Sequence, residues 1–181
     1  MMVNLIVTGD VHVGKTTAVR KALLRLRQMN CRIAGFVTWP VVDESASRLG
    51  ITIEDLCSGV RRILARTDQN LGGPGVGPYS FDPEALRWGD QLVLDALDHG
   101  CDLLVIDEIG RLELQLDSGF QRTLSTLTRP GLPSTVLVVR QSLLPRLHSR
   151  VPQFKAVTLC VDLANRDQAP GLIADALLGP A

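Results

Sequence analysis

Gly9-Asp10-Val11-His12-Val13-Gly14-Lys15-Thr16-Thr17 reads G-x-x-x-x-G-K-T-T, and its flanks decide the fold. Upstream lies Val3 to Thr8, a short apolar run suited to a buried central strand. Downstream, Val19, Ala22, Leu23 and Leu26 recur at helical spacing, with Arg20, Lys21, Arg25 and Arg27 on the other side. A strand, a glycine-bounded loop and a helix are the context in which this pattern binds phosphate. The backbone N–H groups from Gly9 to Thr16 are expected to form an anion nest, reinforced by the helix dipole. Lys15 is expected to reach the β- and γ-phosphates, and the Thr16 hydroxyl to coordinate Mg²⁺. Thr17 closes the nucleotide-binding stretch as a capping or first-turn residue. His12 either hydrogen-bonds the ligand as a neutral imidazole or points outward, and the outward reading is preferred.

The chain around this loop has 181 residues, the size of one domain, read as 1–181. A hydrophobic fraction of 45% supplies a sizeable core and argues against disorder. Lys plus Arg and Asp plus Glu both total 19, so the basic excess of a nucleic-acid groove is missing. No apolar run approaches a membrane span and the start carries no signal-peptide pattern, so a cytoplasmic protein is expected. Cys31, Cys57, Cys101 and Cys160 form no C-x-x-C pair, and buried, reduced thiols are expected. The oligomeric state is not determined by the sequence; a monomer is the favoured expectation.

After the first helix, Arg32 to Val42 is β-rich, but Pro40 bars its later part from a central strand. A polar turn at Asp43-Glu44-Ser45-Ala46-Ser47 leads into Arg48 to Leu56, so the two segments read as a β-hairpin. Arg61 to Arg66 adds one more strand, giving an inserted antiparallel meander. Leu71 to Tyr79 is rich in Gly and Pro and reads as a flexible loop near the site. Asp82 and Pro83 open a helix that runs toward Gly100. Strands over 101–109, 135–139 and 156–161 then alternate with helices over 118–128, 143–151 and 165–178. That alternation predicts an α/β fold, a mostly parallel sheet covered by helices on both faces.

The second strand signal ends in Asp107-Glu108 after four apolar residues, Leu103 to Ile106. This is a Walker B segment, expected on a strand beside the P-loop strand. Asp107 is expected to hold Mg²⁺ opposite Thr16, and Glu108 to orient and polarise the attacking water. Arg111 and Glu113 either touch phosphate or metal ligands or form surface salt bridges. Arg48, Arg140 and Arg150 are candidates for stabilising transition-state charge. Asn165 and Arg166, after the last strand, either bind the nucleotide base by hydrogen bond and stacking or serve as an N-cap and a surface pair with Asp167.

In order along nearly the whole chain, several segments resemble one family. They are the Gly-Lys-Thr-Thr loop, Gly35-Phe36-Val37-Thr38, Arg48-Leu49-Gly50-Ile51 and Val76-Gly77-Pro78-Tyr79. Ile106-Asp107-Glu108-Ile109-Gly110-Arg111-Leu112-Glu113-Leu114 is the most specific block, and Asn165-Arg166-Asp167 follows late. The sequence resembles the P-loop nucleoside-triphosphatases that include human cancer-related nucleoside-triphosphatase and thermophilic microbial homologues. The resemblance implies a RecA-like fold and slow, Mg²⁺-dependent hydrolysis of ATP, GTP and other nucleoside triphosphates. It also implies a glycine where this chain has His12, and an acidic residue near the position of Trp39-Pro40. Two other functions fit the same residues: a nucleotide or small-molecule kinase, and a slow nucleotide-dependent binding switch.

Overall fold

The computed structural model describes residues 2–178. Strand β1 (Asn4–Thr8) runs through the P-loop into helix α1 (Lys15–Gln28). Next come β2 (Ile33–Val42), β3 (Arg48–Asp55), β4 (Arg61–Arg66), β5 (Gly75–Val76) and β6 (Tyr79–Phe81), before α2 (Pro83–His99). The second half holds β7 (Leu103–Ile109), α3 (Arg111–Gln115), α4 (Gln121–Thr126), β8 (Ser134–Val139), α5 (Leu144–Arg150), β9 (Val157–Cys160) and α6 (Ala169–Leu178).

The described strands join one sheet in the order β5-β6-β4-β3-β2-β7-β8-β1-β9. From β2 to β9 every pairing is parallel, and from β2 outward to β5 every pairing is antiparallel. The expected parallel sheet and inserted meander are therefore two parts of one surface. Within the parallel part, alternate residues feed opposite faces. Leu104, Ile106, Leu137 and Val139 enter the core under α2 to α5. Leu103, Val105, Val136 and Val138 enter the core under α1 and α6. Strands buried on both faces need apolar residues at every position, which is why these segments read as unbroken hydrophobic runs.

Pro40 sits where the sheet tolerates it. β2 pairs with β7 only through Ile33 to Phe36, and beyond that it pairs with β3 alone. Pro40, opposite Ile51, needs no ladder donor on its other side. The polar turn is held by Asp43, whose carboxylate accepts from the N–H groups of Ser45 and Ser47.

Several expectations need correction. Asp107 does not come from a strand beside β1, because β8 lies between β1 and β7. The Gly-Pro segment 71–79 is not simply a loop; it contains β5 and leads into β6, a hairpin that extends the sheet. Strands this short carry no hydrophobic alternation to reveal them. The helix expected over 118–128 is shorter, Gln121–Thr126, and α3 precedes it unannounced. The carboxylate of Asp90 on α2 accepts from the Arg122 and Thr123 N–H groups and so fixes the start of α4. The cysteines are not buried: Cys57 and Cys160 are exposed, Cys31 and Cys101 half-buried, and all four are free.

Gly35 marks a close approach of β2 to β7. Its φ is 95°, and a Cβ there would lie 2.1 Å from the Val105 carbonyl oxygen. Both the backbone and the neighbouring strand exclude a side chain. Gly171, inside α6, has open space around its Cα. Gly35→Ala is expected to destabilise by about 3 kcal/mol or more. Gly171→Ala is expected to stabilise by about 0.5–1 kcal/mol through helix propensity. Urea denaturation of both variants checks the contrast.

Candidate active site

The loop from Gly9 to Gly14 turns on three left-handed residues. Gly9 has φ 138°, His12 has φ 64° and Gly14 has φ 110°. Gly9 is compulsory for packing, since a Cβ would meet the Val161 carbonyl oxygen at 2.2 Å. His12 adopts a conformation that glycine takes freely and that costs another residue roughly 1–2 kcal/mol. It is exposed and lines the cleft beside the loop. Val13 is buried and anchors the loop to the core under α1. The N–H groups of Val11, His12, Gly14, Lys15 and Thr16 have no acceptor among the described residues. A row of free donors at a helix start is what an anion needs. Lys15 is 7% exposed, and its ammonium donates to the carbonyls of Gly9 at 3.0 Å and Asp10 at 2.7 Å. Burial pulls its pKa down, while Glu108 and Asp107 oppose that shift. Thr17 lies exposed in the first turn of α1.

Asp107 is fully buried. One carboxylate oxygen accepts from the Thr16 hydroxyl at 3.0 Å. The other accepts from the Thr38 N–H at 3.1 Å and the Thr38 hydroxyl at 3.4 Å. Burial pushes its pKa up to about 7, against the pull of these hydrogen bonds, and Glu108 adds to the rise. Thr38 is a site residue that sequence reasoning passes over. In the sequence it is only the end of Gly35-Phe36-Val37-Thr38, and a hydroxyl at a strand end is the one signal it offers.

Glu108 is set apart from the ladder. Asp107 pairs with Val138 and Ile109 with Val139, so Glu108 is the extra residue of a bulge. The peptide joining it to Asp107 is cis. Its carboxylate accepts from Arg140 Nε at 2.9 Å. Arg140 follows β8, the intervening strand, so that strand supplies a partner to the site it separates. The Gln141 N–H donates to the Gly9 carbonyl at 3.4 Å, joining the same strand end to the P-loop. Of the three candidate arginines, Arg140 alone contacts Glu108. Arg150 pairs with Asp117, and Arg48 lies over the Tyr79 ring at 5.9 Å.

Glu113 follows neither sequence reading. It is 2% exposed, and its carboxylate accepts from Gly110 N–H at 2.8 Å and Phe120 N–H at 3.0 Å. It braces the chain after the Walker B strand instead of facing solvent or phosphate. Burial raises its pKa. Arg111 is exposed and donates to the Gln115 side chain at 3.0 Å.

Beside the P-loop a cleft of about 520 Å³ opens between Asp10–Val13 and Cys160–Ala164. Its apolar walls include Val11 and Leu163, 51% and 75% exposed. Asn165 and Arg166 do not line it. The Asn165 amide accepts from Asp162 N–H at 3.0 Å and donates to the Cys160 carbonyl at 2.8 Å, shaping the wall from behind. Arg166 is exposed.

Asp107 links this geometry to pH. In metal-free protein the folded carboxyl titrates near 7, and an unfolded one near its ordinary 3.8. Between those values the folded state binds more protons. Stability is therefore fully present below pH 3.8 and is lost as pH rises through about 7. The whole effect amounts to a few kcal/mol. With EDTA present, Asp107→Asn is expected to flatten this decline and to raise the urea midpoint at pH above about 8. A lower midpoint there would mean that the Thr16 and Thr38 hydrogen bonds outweigh the cost of burial.

Residues 4–174 match the NTPase family. The nucleoside-triphosphatase THEP1 of Methanosarcina barkeri is 32% identical over 176 residues, 96% of this chain and 97% of that protein. THEP1 of Caldivirga maquilingensis is 36% identical over 122 residues, 67% of each chain. Among solved structures, THEP1 from Aquifex aeolicus superposes with TM-score 0.75 at 24% identity, over 96% of this chain and 98% of the other. A human cancer-related nucleoside triphosphatase gives TM-score 0.73 at 25% identity, over 99% of this chain and all of the other. The match takes in the P-loop, the Asp107-Glu108 strand end and the cleft loop, and the chain belongs to the NTPase family.

Proposed function

We propose that this chain hydrolyses nucleoside triphosphates to the diphosphate and inorganic phosphate, in a single P-loop domain. The observation that carries the reading is the 3.0 Å contact between the Thr16 hydroxyl and Asp107. It brings the anion-binding loop and the acidic strand end into one site, with Glu108 alongside.

Free loop amides and Lys15 hold the phosphates. The donor set also fits Mg²⁺: a hydroxyl and a carboxylate are hard oxygen ligands. Burial raises the Asp107 pKa, a cost that a dication would relieve. Thr16 and Asp107 would hold the ion, which when bound neutralises phosphate charge. Glu108 orients the attacking water and accepts its proton. Arg140 steadies Glu108 through its Nε contact and brings a guanidinium to where transition-state charge develops. Catalysis of this kind rests on positioning and on charge already in place.

The walls of the cleft support broad base choice. Val11 and Leu163 offer apolar area for any base face, and the polar side chains beside them, His12 and Gln141, are exposed. The proposed compartment is the cytoplasm, where free thiols stay reduced. No helix among the described residues is long and apolar enough to cross a membrane.

Glu108→Gln is expected to keep nucleotide binding while phosphate release falls by roughly a hundredfold. Unchanged turnover would remove Glu108 from the chemistry. Lys15→Ala is expected to weaken triphosphate binding itself, read by calorimetry. Native affinity in that variant would count against the P-loop assignment. A phosphate-release assay across ATP, GTP, CTP and UTP, with and without Mg²⁺, measures base choice and metal need together.

A further inference from the structure

A second cavity, of about 110 Å³, shares Thr38, Glu108 and Arg140 with the catalytic site but contains no P-loop residue. Holding one water takes roughly 10–15 Å³. The cavity is therefore several times too large to serve only the lytic water.

Its charge is also unexplained by hydrolysis. Arg48, Arg111 and Arg140 line it together with Glu108 and Glu113. Arg140 is engaged by Glu108, and Glu113 is committed to the N–H groups of Gly110 and Phe120. Neither Arg48 nor Arg111 pairs with a carboxylate among the described residues. Arg48 and Arg111, the latter also donating to the Gln115 side chain, thus line a cavity with an apolar wall that includes Ile51 and Phe81, beside the polar Thr38 and Tyr79. Arg48, Ile51 and Phe81 all come from the antiparallel insertion. A water molecule needs neither the apolar wall nor the cationic surplus; a small organic anion uses both.

We propose that this cavity is a phosphoryl-acceptor site for a small hydroxylated organic acid. The inference rests on the phosphate site and on the role of Glu108 given above. The acid's carboxylate is held by Arg48 and Arg111, its carbon body lies on Ile51 and Phe81, and its hydroxyl faces Glu108. The hydroxyl oxygen attacks the γ-phosphorus while Glu108 accepts the hydroxyl proton. The bond from the γ-phosphorus to its bridging oxygen breaks, and the nucleoside diphosphate leaves with that electron pair. The products are a phosphate ester of the acid, the diphosphate and a proton. Hydrolysis is the same displacement with water where the hydroxyl would sit.

The test uses the full chain with ATP and Mg²⁺, and lactate, glycerate or mandelate as the added acid, followed by phosphorus NMR. At least one acid is expected to give a phosphate-ester resonance and to speed ATP consumption by roughly tenfold over water alone. Val76 lies on the outer hairpin at the cavity rim. Val76→Trp fills the cavity from there; the ester-to-phosphate ratio is expected to fall by roughly tenfold. Its acid-free phosphate release is expected to stay within roughly twofold of the wild type, which also reports that it folds. Arg48→Leu is expected to raise the KM for the acid by roughly fivefold or more. Inorganic phosphate as the sole product with all three acids overturns the proposal. So does an ester yield that Val76→Trp leaves unchanged. Failure of the hydrolysis reading looks different: no phosphate appears without acid, whatever the ester yield.

Discussion

The structure turns on one buried carboxylate. Asp107 has no exposed surface, and its hydrogen bonds come from two other elements: Thr16 at the start of α1 and Thr38 on β2. An ionised group so placed is tolerable only if its oxygens are satisfied or a cation lies near. Those bonds fix α1 and β2 against the end of β7. The P-loop cannot shift without disturbing Asp107, and Asp107 cannot shift without disturbing Glu108. The start of α1, the middle of β2 and the end of β7 are thus tied together at one carboxylate.

Much of this was legible because it is local in sequence. A glycine-bounded loop between a strand and a helix announces an anion site within nine residues, and Asp107-Glu108 announces its partner after one apolar run. Pro40 correctly marked where β2 stops being central. What stayed hidden depends on contacts distant in the chain. The place of β8 between β1 and β7 follows from how crossovers stack, and no residue pattern encodes it. Glu113 reads as a phosphate or metal contact or a surface acid until the Gly110 and Phe120 amides are seen to converge on it. Asn165 carries the right chemistry for a base contact, yet its amide is bonded to the backbone of its own loop. Thr38 looked like a strand residue because its role appears only beside Asp107.

The antiparallel insertion also reaches back to α1. Trp39, at the position where the family resemblance implies an acidic residue, lies between two guanidiniums. Arg20 of α1 is 3.1 Å from its ring centroid and Arg61 of β4 is 4.0 Å away. Arg61 in turn pairs with Glu54 of β3. Cation–π contacts of this kind contribute on the order of 1 kcal/mol each. Here they couple the helix that follows the P-loop to the added strands, through the residue next to Thr38.

The two ends of the sheet bear on how the molecule meets its neighbours in a crowded solution. At one end β5 has only two residues, preceded by Pro74, which has no N–H to offer. At the other, β9 has only four. Long, flat borders invite another chain to add itself as the next strand, and short borders interrupted by proline give it little to hold. A broad sheet ended in this way offers few free backbone groups on which fibrous growth could begin.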